Sequence, residues 1–138
     1  RPVLLAQTDG PILDIGQVVI GWKDTREAQR AVAAALPLLK IALNVTLVSI
    51  RPERELSSAH EAVKEVAGWL RQHGVAAEPQ VLLATDGDAC QLEAIAKEKQ
   101  AGLVVTGAYG HSRLREWIMG GVTRDLVLNS KRCAFLSH

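Results

Sequence analysis

The sequence predicts an α/β domain: three layers, α/β/α, around a five-stranded parallel sheet. Three observations carry this. Short apolar runs alternate with amphipathic segments along the 138 residues. The runs are continuously apolar, as in strands buried on both faces. The segments between them carry helix caps and apolar residues at helical spacing. Strands joined through helices require right-handed crossovers and therefore a parallel sheet covered on both sides. The length fits one domain with a core of its own.

Val3–Ala6 is a short apolar run, and Thr8-Asp9-Gly10-Pro11 is a turn cluster. Residues 1–17 therefore read as a leader strand and linker, and 18–138 as the domain. Val18–Trp22 is the first of the five strands. Asp24-Thr25-Arg26-Glu27 follows as a helix start with Asp24 as N-cap and an acid three residues on. Ala28, Ala31, Val32, Ala35, Leu36 and Leu39 recur at helical spacing, while Pro37 is expected to kink or shorten that helix. Val45–Ile50 is the second strand. Ser58 with Glu61 predicts another capping box. Ala59, Ala62, Val63, Val66, Ala67 and Leu70 form one face of a long helix that Gly74 closes. Val75–Leu83 is the third strand, and Pro79 within it predicts a sheet edge. Asp86 or Asp88 caps a third helix through Lys99, with Leu92, Ile95 and Ala96 inward. Leu103–Thr106 is an apolar, central fourth strand. A fourth helix is expected over about Val122–Ser130, and Cys133–Ser137 is the fifth strand.

Composition removes several classes of function. Lys and Arg number 16 against 15 Asp and Glu, a net charge of +1, so no basic surface for nucleic acid or a polybasic membrane contact is expected. No apolar run approaches the roughly 20 residues of a spanning helix. Aromatic residues are 4% of the chain, which leaves the core to Ala, Val, Leu and Ile. Cys90 and Cys133 form neither a CxxC pair nor a zinc ligand set. As two free, buried thiols they suit a reducing, cytoplasmic compartment. Asp86-Gly87-Asp88 lacks the other ligands of a calcium loop. His60 and His73 fall on the polar side of the second helix.

In open parallel α/β sheets, ligands bind beyond the carboxyl ends of the strands, where the strand order reverses. After the fourth strand, which ends at Thr106, come Gly107-Ala108-Tyr109-Gly110-His111-Ser112-Arg113, then Leu114–Met119, then Gly120-Gly121-Val122-Thr123. Two glycines permit a tight turn and close backbone approach. Two more stand at a helix start, where free N–H groups and the positive dipole end favour an anion. Thr123 adds a hydroxyl; His111, Arg113 and Arg115 add positive charge. This is a phosphate cradle in physical terms. Glycine turns are common in α/β folds, so spacing alone leaves a purely structural turn equally open. GxxxxGK[ST] and GxGxxG are both absent.

Gly107-x2-Gly110-x9-Gly120-Gly121-Val122-Thr123, behind the strand Leu103–Thr106, resembles the nucleotide-binding signature of the universal stress protein family, G-x2-G-x9-G followed by Ser or Thr. Glu27-Ala28 in the first helix and the closing Leu136-Ser137-His138 are similar to that family as well. The resemblance spans about residues 17–138. It implies strand order 3-2-1-4-5 with four main helices. It also implies ATP or AMP at the carboxyl ends of the first and fourth strands, with Mg2+ through the phosphates. Adenine and ribose would lie against Gly21, Trp22, Lys23 and Ile50, and Thr106 and Gly107 end the fourth strand beside them. Gly110, His111, Gly120, Gly121, Val122 and Thr123 would face the phosphates.

Two positions depart from the family pattern. Lys23 stands where an Asp usually holds the ribose hydroxyls, and an ammonium cannot accept those hydrogen bonds. Gly121 stands where a hydroxyl residue is usual, which removes one phosphate contact worth about 1.5–3 kcal/mol. Trp22 is placed to stack on adenine or to fill its pocket. No paired carboxylates, activated nucleophile or general base lies near the glycine loop. The HxGH and SGGxDS motifs of adenylating α/β enzymes are absent too. The reading is a regulatory, stress-response domain that binds an adenine nucleotide with little or no turnover. The alternative is an interaction domain of the same fold that has lost the nucleotide through Lys23 and Gly121.

Family members often carry two such domains in tandem, and they pair through their fifth strands. The resemblance therefore implies a homodimer or an intramolecular tandem partner through Cys133–Ser137. Arg1-Pro2-Val3-Leu4-Leu5-Ala6 has the same basic-then-apolar texture as Arg132-Cys133-Ala134-Phe135-Leu136-Ser137. Residues 1–6 thus read as the tail of a preceding domain or a mimic of one, able to cap the fifth-strand edge.

Overall fold

The computed structural model describes residues 1–6, 13–85, 87–107 and 132–137. The strands are β1 (Val3–Leu5), β2 (Gln17–Gly21), β3 (Asn44–Arg51), β4 (Ala77–Leu83), β5 (Leu103–Gly107) and β6 (Cys133–Ser137). The helices are α1 (Arg26–Ile41), α2 (Leu56–Gln72) and α3 (Asp88–Glu98). The predicted fourth helix, Val122–Ser130, lies outside the described residues.

One sheet runs in the order β1-β6-β5-β2-β3-β4. The five predicted strands are β2 to β6, all parallel, in the implied order 3-2-1-4-5. The sheet nevertheless has six strands and is not wholly parallel, because β1 adds antiparallel to β6. Without β1, the outer edge of β6 would be a row of unpaired N–H and C=O groups. The opposite edge is β4, where Pro79 sits as predicted and needs no N–H partner.

Two apolar clusters flank the sheet. The larger joins Val18, Ile20, Val45, Leu47, Leu103, Val105 and Phe135 to the inner faces of α1 and α2. The smaller joins Val19, Val48, Ile50 and Val104 to Leu92, Ile95 and Ala96 of α3. As the composition requires, aliphatic residues dominate both. At about 25 cal/mol per Å2 of apolar area, burying each Val or Leu contributes roughly 1.5–3 kcal/mol.

Helix ends show where local signals compete. Thr25, not Asp24, caps α1: its backbone is extended and its Oγ1 accepts the Ala28 N–H at 3.3 Å. Asp24 instead accepts from the Gln29 amide at 3.4 Å. Pro37 does not break α1, which continues to Ile41. Pro37 and Ala33, whose carbonyl loses its partner, both face outward, where water satisfies that oxygen. Ser58 is no cap either. A 3-10 turn, Glu53–Glu55, starts α2 early, and the Ser58 hydroxyl donates to the Glu55 carbonyl at 3.0 Å. Gly74 closes α2 as predicted, at φ +83°. Val75 N–H reaches the Leu70 carbonyl and Gly74 N–H the Arg71 carbonyl, a Schellman closure. Gly87, at φ +101°, is the N-cap of α3 and makes no side-chain cap; Asp88 is already helical, and Asp86 is outside the described residues. Gln91 brackets the turn before α3, donating to the Leu83 carbonyl at 2.8 Å and accepting from Thr85 N–H at 2.9 Å. Cys133 is buried as expected, but Cys90 is exposed, because it lies on the outer side of the first turn of α3.

Candidate functional site

The strand order reverses between β2 and β5: the chain leaves β2 toward β3 on one side and later returns to β5 on the other. Their carboxyl ends meet in register, Gly21 opposite Thr106. Side-chain alternation along a strand divides the residues there between the two faces of the sheet.

Gly21, Ile50 and Thr106 share the α3 face. A Cβ on Gly21 would lie 2.7 Å from Leu92 Cδ2 and 3.3 Å from Thr106 Oγ1, so the missing side chain lets α3 pack onto the strand end. Ile50 is buried in the same cluster as Leu92. Thr106 is half-buried and carries the hydroxyl of this face.

Trp22 and Gly107 belong to the α1 face. Trp22 follows β2, and its backbone N–H donates to the Val48 carbonyl at 2.7 Å. Its indole is only 7% exposed and packs in the α1–α2 core. The indole Nε1–H is buried and has no hydrogen-bond partner among the described residues. A Cβ on Gly107 would run into the backbone of Glu27 and Ala28, so glycine lets the first turn of α1 rest directly on β5. Lys23, half-buried, follows Trp22 and precedes the α1 cap. Gly110, His111, Gly120, Gly121, Val122 and Thr123 lie outside the described residues.

The structure therefore brings Gly21, Ile50 and Thr106 together, sets Gly107 against α1, and turns Trp22 into the core. The close approach of Leu92 to Gly21 had a signal in the sequence, since Leu92 is on the inward face of its helix. A second polar feature had none. Glu93 of α3 pairs with Arg132 at the start of β6, 39 residues away, and both side chains are largely shielded. Burial pushes the Glu93 carboxyl above its usual 4.5, and the Arg132 and Lys97 cations offset part of that rise. No group of three His, Cys, Asp or Glu residues that could hold a metal occurs among the described residues. No described helix is long and apolar enough to cross a membrane.

Solved structures share this arrangement. A universal stress protein from Archaeoglobus fulgidus DSM 4304 superposes with a TM-score of 0.74 over 99% of this chain, at 14% identity; the match covers 49% of that chain. The fold is that of the universal stress proteins. The universal stress protein from Archaeoglobus fulgidus in complex with dAMP matches at TM-score 0.67 and 19% identity, over 92% of this chain and 100% of its own. A universal stress protein in complex with cAMP matches at 0.65 and 20% identity, over 88% and 96%. No protein-family model and no curated protein matches the chain. The likeness thus rests on the universal stress protein fold, at sequence identities where few side chains are shared.

Proposed function

We propose that this domain binds an adenine nucleotide, AMP or ATP, across the carboxyl ends of β2 and β5 and acts as a regulatory module with little or no turnover. The observation that carries the reading is the reversal of strand order at a pair of ends that bear no bulky side chain. Gly21, Lys23, Thr106 and Gly107 are all half-buried there. Parallel sheets place ligands at that position. The described groups suit such a ligand: the Thr106 hydroxyl donates or accepts toward a ribose, and the Lys23 ammonium carries charge opposite to phosphate. Gly110, His111, Gly120, Gly121, Val122 and Thr123 would then cradle the phosphates, with Mg2+ bridging them for ATP. Two proteins of the same fold are described in complex with adenine nucleotides, cAMP and dAMP.

One observation favours the second reading, an interaction domain without nucleotide. Gly21 and Gly107 both have packing reasons to be glycine, Leu92 and the start of α1. The test is thermal unfolding with ATP, AMP and GTP, each with and without Mg2+. A ligand that binds only the folded state adds about 2.7 kcal/mol at a hundred times its Kd, a shift of several degrees. A saturable rise with AMP or ATP and none with GTP is the expected result. No shift at millimolar nucleotide would establish the interaction reading instead.

A further inference from the structure

At the β4 edge of the sheet a side chain takes the place of a strand. Ala84 N–H donates to the Arg51 carbonyl at 2.9 Å, so the even-numbered residues at the end of β4 turn their N–H and C=O groups inward to β3. Successive residues of a strand alternate in this respect. Ala77, Pro79, Val81, Leu83 and Thr85 therefore present theirs to the outer edge, a row that would template a further strand. The row is interrupted at both ends. Pro79 has no N–H to offer. At the other end the Gln91 amide donates to the Leu83 carbonyl at 2.8 Å and accepts from Thr85 N–H at 2.9 Å. That is the pair of bonds that one residue of a parallel neighbouring strand would make. The same two bonds fix the first turn of α3, which starts on Gly87 without a side-chain cap.

A two-fold antiparallel pair of β4 strands centred on Val81 shows what these interruptions prevent. Val81 would face Val81 of the second copy, an isologous contact. Pro79 would face Leu83 and Glu78 would face Ala84, so no like charges would stand opposite one another. The apolar Val81, half-buried, and Leu83, 48% exposed, would gain cover from the second strand. Each Leu83 carbonyl, however, would need an N–H from position 79 of the other copy, and proline has none. Gln91 supplies that donor from within the chain, and its amide lies where the incoming strand would run.

We propose that Gln91 is an intramolecular plug for the β4 edge: its amide replaces one residue of a neighbouring strand and, together with Pro79, keeps a second copy of this chain from pairing there. The proposal rests on the hydrogen bonds of the edge and not on the nucleotide reading.

The test is sedimentation of the full chain, of Pro79→Val and of Pro79→Val/Gln91→Ala, at the about 10–100 μM protein where a small strand-edge contact associates. Pro79→Val restores the missing donor but leaves the plug, and should keep the mass of the unaltered chain. The double variant should double that mass. Adding Val81→Pro to it removes the central outward N–H, spares the bonds to β3, and should return the mass to its starting value. Circular dichroism and thermal unfolding check that each variant is folded. A folded double variant with the mass of the unaltered chain would overturn the proposal. So would Pro79→Val associating as readily as the double variant, or an association that Val81→Pro leaves intact. Amide exchange of the unaltered chain gives a reading that needs no variant. Thr85 N–H, although on an exposed residue, should exchange at least about tenfold more slowly than a free amide. Exchange of Thr85 at the free-amide rate would overturn the proposal even if no variant folds.

Discussion

The two ends of the sheet are built differently. At the amino ends the chain is stitched shut. The Gly16 carbonyl accepts from both Leu43 and Asn44 N–H, Gly102 N–H donates to the Gln17 carbonyl, and Cys133 N–H donates to the Gly102 carbonyl. A Cβ on Gly102 would fall on the carbonyl of Asp14, so the segment leading into β2 lies flat against the turn before β5. Leu13 and Ile15 pack on the larger core beside it. At the carboxyl ends of β2 and β5, the half-buried Gly21, Lys23, Thr106 and Gly107 leave the strand ends only partly covered. One end stabilises the fold, and the other is where the proposed nucleotide site lies.

Mutations at the two ends should break this contrast in different ways. The largest effect is expected from Gly102→Val at the amino end. Its side chain would displace Asp14 and cost about 4 kcal/mol, read by urea denaturation. A loss below about 1 kcal/mol would mean that the segment entering β2 moves aside and that the amino end is not sealed. Gly107→Ala is the counterpart at the other end. The added methyl pushes α1 off β5, at about 2 kcal/mol. Unchanged stability there would show that the glycine serves only the loop after it. Thr25→Ala removes the α1 cap and should cost about 1 kcal/mol by the same measurement, with the helix start at the carboxyl end frayed.

The smallest effect concerns the ion pair between α3 and the start of β6, Glu93 with Arg132. Because Glu93 has its carboxyl raised by burial, the unfolded chain ionises it first as pH climbs. Its contribution to stability is therefore full below about 4.5 and is lost as pH rises through the higher folded value. Glu93→Gln, which keeps an acceptor for Arg132, removes that dependence. The stability of the unaltered chain minus that of the variant should fall as pH rises above about 4.5. A difference that grows with pH would show that Arg132 outweighs burial.

Much of the fold was legible because its signals are local. Continuous apolar runs marked β3, β5 and β6, Pro79 marked the edge strand, and Gly74 marked the end of α2. The misreadings occur where two local signals compete or a distant contact decides. Asp24 and Thr25 are adjacent cap residues, and the extended Thr25 backbone selects the second. Ser58 lost to a 3-10 turn set by Pro52. Pro37 was tolerated because its orphaned carbonyl faces water. The contacts of Gly107 with α1 and of Gly102 with Asp14 join segments about 80 or more residues apart, and no local pattern announces them. At the candidate site, Gly21, Thr106 and Gly107 lie at strand ends as their apolar runs imply, but the division of Gly21 and Trp22 between opposite faces required the sheet.

The most direct measurement is a map of backbone amide shifts during an AMP titration of the labelled chain. The account predicts saturable shifts at Gly21, Trp22, Lys23, Thr106 and Gly107, with Gly16, Leu43 and Gly102 silent. Shifts concentrated at the amino end, or none at millimolar AMP, would contradict it.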